Sequence, residues 1–129
     1  MDWLKAAYAR VKPDSAAGVD GQSWAEYGRA LDDNLGRLLH QAKSGRYYAP
    51  PVKRVHIPKG DGKETRAIGM PTIEDKGLQR AIALLLEPIC GPDFKWFSCG
   101  FRPGRSAHQA LAAIWSQSTH QEIQWILDP

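Results

Sequence analysis

Two arginines in a short, stiff turn are well suited to bind phosphate. Arg102 and Arg105 belong to the run GFRPGRS at residues 100–106 of this 129-residue chain. Pro103 and Gly104 separate them, and a helical pattern begins directly after the run. Guanidinium groups beside a helix N-terminus can hold a phosphate without reading bases. Considered alone, the run could equally form a surface turn with two solvated arginines.

A second group of cations is concentrated in one segment. Residues 43–66 carry seven Lys and Arg side chains against two acidic ones, a net charge of +5, whereas the rest of the chain sums to −2 and the whole chain to +3. A basic segment in an otherwise balanced chain indicates a surface that binds polyanions. A solvated, charged hairpin is the alternative that the charge alone leaves open.

The basic segment has the pattern of a β-hairpin. Residues 52–57 (VKRVHI) and 65–70 (TRAIGM) predict two strands, and residues 60–63 (GDGK) supply the turn. Lys59 and Arg66 would then lie near the tip, on one side of the ribbon. An ammonium and a guanidinium placed together there could bind a triphosphate, whose charge requires several donors.

Four helices are predicted around the hairpin. Their apolar residues recur at spacings of three and four, and stop or start signals such as Pro13, Gly45 and a capping box at Ser106 delimit them. In the last two helices we expect the apolar residues to face the core. The first two helices are predicted over residues 3–11 and from residue 23 to the cap at Gly45. The third is predicted over residues 74–89, with Leu78, Ile82, Leu85, Leu86 and Ile89 buried. The fourth begins at residue 107, with Ala107, Ala110, Leu111 and Ile114 facing inward, and a strand over residues 123–127 follows it.

Several classes of function do not fit this composition. The longest apolar run, residues 81–86, is far too short to cross a bilayer, and the N-terminus has no signal-peptide core, so we expect a cytoplasmic protein without a membrane partner. Cys90 and Cys99 form no Cys-x-x-Cys motif, and the four histidines lack metal-ligand spacing. We therefore expect reduced thiols and no metal site, and we assign no catalytic residue.

Five blocks of the sequence, taken in order, resemble the N-terminal fingers region of group II intron (retron-type) reverse transcriptases. The blocks are AGVDG at 17–21, IPK at 57–59, GMPT at 69–72, LEPI at 86–89 and GFRPGRS at 100–106. The resemblance implies an α+β fold, with helices packed on a basic antiparallel β-hairpin, as the fingers part of a right-hand polymerase.

The resemblance also implies how the chain is divided. Residues 1–22 would form an N-terminal extension helix and loop, and residues 23–129 an incomplete fingers subdomain without the palm. In the family, a strand of the form Trp-hydrophobic-hydrophobic-Asp-x-Asp opens the palm, and its second aspartate binds a catalytic metal. Residues 125–129 (WILDP) end at Pro129, one residue before that position, so we expect a chain truncated at the start of the palm.

Site residues follow from the same resemblance. Lys59 and Arg66 would hold the phosphates of the incoming deoxynucleoside triphosphate, and Lys63 could replace Lys59 because the spacing is one residue longer than in the family pattern. For Thr72 and Asp20, structural roles in a turn or helix cap fit the sequence as well as template contacts do. The residues expected to bind the template or other nucleic acid are Arg102, Arg105, Lys53, Arg54, Thr72 and Asp20.

The implied function is that of a longer RNA-directed DNA polymerase that uses Mg²⁺, a group II intron RNA as template, a DNA primer and deoxynucleoside triphosphates. Because the metal-binding aspartates of the palm are expected beyond Pro129, these residues alone should bind without polymerising. Two alternatives remain open from the sequence. One is a stand-alone RNA-binding or maturase-like module without catalysis, and the other is a degenerate gene remnant.

Overall fold

The computed structural model describes residues 1–60 and 64–120, and these fall into two compact units. The first unit is Met1–Pro88, and the second begins at Ile89. The first contains helices α1 (Asp2–Ala9), α2 (Trp24–Gly28) and α3 (Leu31–Lys43), strands β1 (Lys53–Pro58) and β2 (Thr65–Met70), and most of α4 (Ile73–Cys90). The second contains the end of α4, a 3₁₀ turn (Gly91–Asp93) and α5 (Ala107–His120). The α+β class is confirmed.

The core of the first unit is made by its helices. Leu4 and Tyr8, one turn apart on α1, are buried against Leu35 and Leu38 of α3 and Ile73 at the start of α4. The Tyr8 ring also stacks on Trp24, with centroids 4.8 Å apart, and its hydroxyl donates to the Trp24 carbonyl. The buried residues of this core are Leu4, Ala7, Tyr8, Tyr27, Leu35, Leu38, Ile73 and Ala81.

The helix predicted from residue 23 to Gly45 is two helices rather than one. Ser23 begins α2 through a complete capping box with Glu26. The hydrogen bond from the Ser23 hydroxyl to the Glu26 carboxyl keeps the pKa of that carboxyl below its usual value. At Ala30 the backbone leaves the helical region (φ −122°, ψ 44°), and α3 begins after it. Asn34 spans the break because its side-chain amide donates to the Tyr27 carbonyl at 2.9 Å.

Strands β1 and β2 form the predicted antiparallel ribbon, but no helix of the described chain covers it. Every strand residue except Val55 and Met70 is exposed, and the buried core contains none of the described hairpin residues. The expectation of helices packed on the hairpin is therefore wrong for the described residues. The helices of the first unit bury one apolar face each against one another instead, and the hairpin takes no part in that core.

The predicted buried stripe of α4 is also largely wrong. Its buried residues are Ile73, Asp75, Gly77 and Ala81, whereas Leu78 only packs beside the core. Helix α4 is apolar on more than one face, and the described part of its unit covers only the face that carries Ile73 and Ala81. The residues of the stripe that remain exposed are Ile82, Leu85, Leu86 and Ile89.

Helix α5 begins as predicted and packs differently. Ser106 and Gln109 form the expected reciprocal cap, with Ser106 N donating to Gln109 Oε1 and Gln109 N donating to Ser106 Oγ. Leu111 and Ile114, expected to face inward, are each 63% exposed. The described part of the second unit has no other long element to cover them.

Two further expectations concern the last residues and the membrane. The predicted strand over 123–127 and the predicted palm boundary at Pro129 lie outside the described residues, so both stay predictions. Within the described residues, no helix is long and apolar enough to cross a membrane.

Candidate nucleotide-binding and nucleic-acid-binding surface

The register of the hairpin places Lys59 and Arg66 on the same face. Arg66 pairs with Ile57 across the ribbon, and the Lys59 N–H continues the ladder by donating to the Glu64 carbonyl at 2.7 Å. Side chains alternate between the two faces of a strand, and residues directly opposite share a face. Lys59 and Arg66 are therefore diagonal neighbours, a relationship that puts the two residues roughly 7–8 Å apart and their Cβ atoms somewhat closer.

An acidic side chain already contacts one of these cations. Lys59 Nζ lies 2.5 Å from Glu64 Oε2, and both side chains are substantially exposed. Exposed ion pairs of this kind contribute about 0–1 kcal/mol because water and salt screen them. A ligand with several negative charges can therefore displace the Glu64 carboxylate from the Lys59 ammonium.

The other predicted hairpin residues occupy different positions. Lys53 shares the face of Lys59 and Arg66 but lies at the opposite end of β1, and Arg54 points to the other face. Lys53 and Lys59 are six positions apart along the extended chain, which corresponds to roughly 20 Å. Lys63, the predicted substitute for Lys59, lies outside the described residues.

A loop and a turn that are about 50 residues apart in sequence meet directly. A Cβ atom added to Gly18 would lie 2.7 Å from both the N and the Cα of Thr72, and 2.9 Å from the carbonyl carbon of Pro71. Only glycine permits so close an approach of two backbones. Thr72, where β2 leads into α4, is thereby brought beside the loop that contains Asp20, and both residues were predicted to contact the template.

Both of these residues also have local structural roles. Thr72 is buried, and its Oγ1 accepts from the Asp75 N–H at 3.2 Å as the N-cap of α4. Asp20 is exposed and accepts from the Gln22 N–H at 3.3 Å, which makes a local turn. The expected alternative for Asp20, a cap of the second helix, is wrong because Ser23 caps α2.

Lys76 fixes the same loop and was not identified from the sequence. Its Nζ donates to Ser15 Oγ at 2.8 Å and to the Ala16 carbonyl at 2.5 Å. These two contacts tie the loop to the first turn of α4, beside the close approach at Gly18. A lysine three residues into a helix is usually solvated, so only the fold reveals this role.

Two hydrogen bonds from phenols to acidic side chains anchor the start of α4, one to α2 and one to the segment between α3 and β1. Tyr27 donates to Glu74 Oε2 at 3.1 Å, and Tyr47 donates to Asp75 Oδ1 at 3.1 Å. Burial, together with the neighbouring carboxylates, raises the pKa of both tyrosines far above the ordinary value of 10.0. The turn by which the hairpin joins the core is therefore held by two phenol hydroxyls that donate to acidic side chains at a helix N-terminus, where negative charge is favourable.

In the second unit, Arg102 is a structural residue of the turn. Its guanidinium donates to the carbonyl oxygens of Gly91, Lys95 and Ser98 at 3.1–3.2 Å, and it lies 4.9 Å from the centroid of the Phe94 ring. These three hydrogen bonds use three of the five N–H donors of the guanidinium, so most of its hydrogen-bonding capacity serves the turn itself. The side chain of Arg105 is exposed and makes no hydrogen bond of this kind to the residues that the structure describes.

The described residues do not form a metal centre. Within residues 1–60 and 64–120, no three His, Cys, Asp or Glu side chains come together as ligands for an ion. We assign no catalytic step to a metal held by these residues, and the Mg²⁺ ions that the family resemblance implies stay a prediction. The metal-binding aspartates predicted beyond Pro129 lie outside the described residues, so that assignment stays a prediction. What the hairpin can do chemically is neutralise phosphate charge.

Comparison with known proteins identifies relatives over much of the chain. Protein YkfC of Escherichia coli is 38% identical over 134 residues, covering 98% of this chain and 35% of the relative. The group II intron-encoded protein LtrA of Lactococcus lactis is 41% identical over 83 residues, or 64% of this chain and 14% of the relative. An uncharacterized 91 kDa protein in the cob intron of Schizosaccharomyces pombe is 36% identical over 107 residues, covering 82% of this chain and 12% of the relative.

The chain thus spans 35% or less of the length of these three relatives. No protein-family model matches it.

Proposed function

Because the chain belongs to the family of group II intron-encoded reverse transcriptases and maturases, we propose that it forms the fingers of an RNA-directed DNA polymerase. In this proposal, residues 1–22 are an N-terminal extension and residues 23–129 are the fingers subdomain. The palm of a longer protein supplies the carboxylates and the Mg²⁺ ions that carry out nucleotidyl transfer. A protein of these 129 residues alone is then expected to bind nucleic acid without extending a primer.

The single observation that carries the proposal is the shared face of Lys59 and Arg66. A triphosphate has more negative charge than one cation can neutralise, and a guanidinium fork beside a mobile ammonium is well suited to it. Both residues lie near the exposed tip of a ribbon that no described helix covers, so a nucleotide can reach them. We infer that they bind the phosphates of the incoming deoxynucleoside triphosphate and neutralise charge as pyrophosphate leaves.

Template RNA is proposed to contact the rest of the basic surface. The net charge of +5 over residues 43–66 supports attraction to a phosphate backbone, and it carries no information about base sequence. The contact between the Gly18 loop and the Thr72 turn supports a common role for these two blocks beside the template. The RNA of a group II intron is the proposed template, with a DNA primer as the extended strand.

Steady-state kinetics test the triphosphate role in a longer protein that joins these residues to a reverse transcriptase palm. Lys59→Ala and Arg66→Ala should each lower kcat/KM for the nucleotide by about ten- to more than a hundredfold, because a charge-assisted contact contributes about 1.5–3 kcal/mol. Template affinity should change little.

Arg54→Ala is the matched control, because it removes a cation from the same strand but from the opposite face of the ribbon. It should leave nucleotide kinetics unchanged. If all three variants weaken RNA binding equally and none alters nucleotide kinetics, the hairpin is only a backbone-binding surface, as expected for a non-catalytic RNA-binding module.

A further inference from the structure

Phe101 has a backbone conformation that phenylalanine rarely adopts. Its φ is +55°, and among the described residues it is the only one other than glycine with a positive φ. For a bulky side chain this left-handed conformation costs free energy, and such strain is concentrated at functional sites. Phe101 is also fully exposed, so burial of the ring does not compensate for that cost.

The surrounding turn holds Phe101 in place. Arg102, the next residue, is fixed by its three carbonyl acceptors and by the Phe94 ring. Gly104 follows with φ +71°, and the Arg105 N–H donates to the Arg102 carbonyl at 3.2 Å to close the turn. A strained residue persists where its surroundings fix it in this way.

An open cleft adjoins the exposed ring. It has a volume of about 380 Å³, within the range of small-ligand sites, and Phe101, Arg105, Ser106 and Ala110 are among the residues that line it. The cleft therefore combines an aromatic face, a cation, a hydroxyl and a small apolar side chain. A nucleotide in a single strand offers the complementary groups, namely a flat base and a phosphate.

We propose that Phe101 stacks on a base of single-stranded nucleic acid while Arg105 contacts the adjoining phosphate. Arg102 acts as a positioning residue that presents both side chains, and it does not itself contact the ligand. This inference rests on the proposed function, which supplies a single-stranded RNA template, and it adds a specific stacking contact to the electrostatic binding. It also separates the roles of two arginines that the sequence presents as equivalent.

The test is equilibrium binding of a fluorescein-labelled, unstructured RNA oligonucleotide to the 129-residue chain, measured by anisotropy at several salt concentrations. Phe101→Ala should weaken binding by about 5- to 150-fold, the range for loss of one stacked base, without changing the log–log salt slope. Phe101→Trp should retain affinity. Arg105→Gln should weaken binding and reduce the magnitude of the slope by about 0.7, as expected for one lost phosphate contact on a single strand.

Two further measurements separate stacking from folding and from charge. Phe101→Gly should raise the Tm, because glycine adopts a positive φ without strain, yet it should bind RNA as weakly as Phe101→Ala. An abasic oligonucleotide of equal length retains the phosphates, so it should bind the wild-type chain and the Phe101→Ala variant equally.

If the wild-type chain binds RNA and Phe101→Ala binds it equally well, the stacking role is wrong while the proposed function stands. If Phe101→Ala changes only self-association, the ring belongs to a protein interface and the proposal is also wrong. If the wild-type chain binds no RNA at all, both this inference and the proposed RNA-binding function are overturned.

Discussion

Gly18 and Arg102 illustrate which residue roles a sequence can and cannot disclose. Glycine is required at position 18 because there is no room for a side chain beside the Thr72 backbone. The φ of Gly18 is not positive, so no turn pattern in the sequence identifies this requirement. Arg102 has the residue type and the setting of a phosphate ligand, and yet its guanidinium binds carbonyl oxygens 4, 7 and 11 residues away. These contacts depend on how the chain folds back, which local spacing does not determine.

Replacing Gly18 by alanine should destabilise the first unit. The new methyl group would meet backbone atoms of Thr72 at 2.7 Å, and backbone cannot move aside as a flexible side chain can. Overpacking of this kind typically costs about 1–3 kcal/mol. Urea unfolding monitored by tryptophan fluorescence measures the change in the free energy of unfolding.

Gly77→Ala is the matched control and should have the opposite effect. Gly77 lies inside α4, and no described atom beyond its own helix lies within 4 Å of the added Cβ. Alanine is favoured over glycine in a helix interior by about 1 kcal/mol. Equal effects of the two substitutions would contradict the close approach at Gly18.

Among the elements, the hairpin was predictable and the helix faces were not. Alternating residues and a glycine-rich turn define the register of β1 and β2, because a strand has a period of two and a short turn fixes the pairing. The break at Ala30 was missed since the apolar spacing continues through it. The side of α4 that is buried depends on which helices pack against it, and its apolar residues occur on more than one face.

The anchoring of α4 by Tyr27 predicts a loss of stability in alkali. Burial and the charge of Glu74 raise the pKa of Tyr27 in the folded chain above 10.0, so the folded state favours the neutral phenol. This contribution is complete below pH 10 and is lost as the pH rises from there toward the folded-state pKa, because the unfolded chain ionises first. The free energy of unfolding should therefore be lower at about pH 11 than at neutral pH, with the decline beginning near pH 10.

Tyr27→Phe should change this profile in two ways. At neutral pH it should lower the free energy of unfolding by about 1.5–3 kcal/mol, because a hydrogen bond to the Glu74 carboxylate is lost. It should also reduce the decline in alkali. Tyr48→Phe is the control, since the Tyr48 side chain is 89% exposed and should not affect either quantity. An alkaline decline of the same size in wild type and Tyr27→Phe would rule out this role for Tyr27.

At the scale of the whole molecule, charge and apolar surface are both unevenly distributed. The cations are concentrated in residues 43–66, and most of the exposed large apolar side chains lie in residues 82–115, from α4 through the following turn to α5. Composition and ordered motifs were sufficient to predict the α+β class and the family, because both depend on local patterns along the chain. The surfaces that the elements leave uncovered could not be predicted, because they depend on which elements pack together.

The central claim is that the face of the hairpin carrying Lys59 and Arg66 binds a triphosphate. The most direct measurement is an NMR titration of the ¹⁵N-labelled chain with a deoxynucleoside triphosphate and, separately, with the unphosphorylated deoxynucleoside. The triphosphate alone should shift the amide signals around Lys59 and Arg66, and Arg66→Ala should weaken this response while Arg54→Ala, on the opposite face, should not. The claim is contradicted if the triphosphate leaves these signals unchanged, or if Arg54→Ala weakens the response as much as Arg66→Ala does.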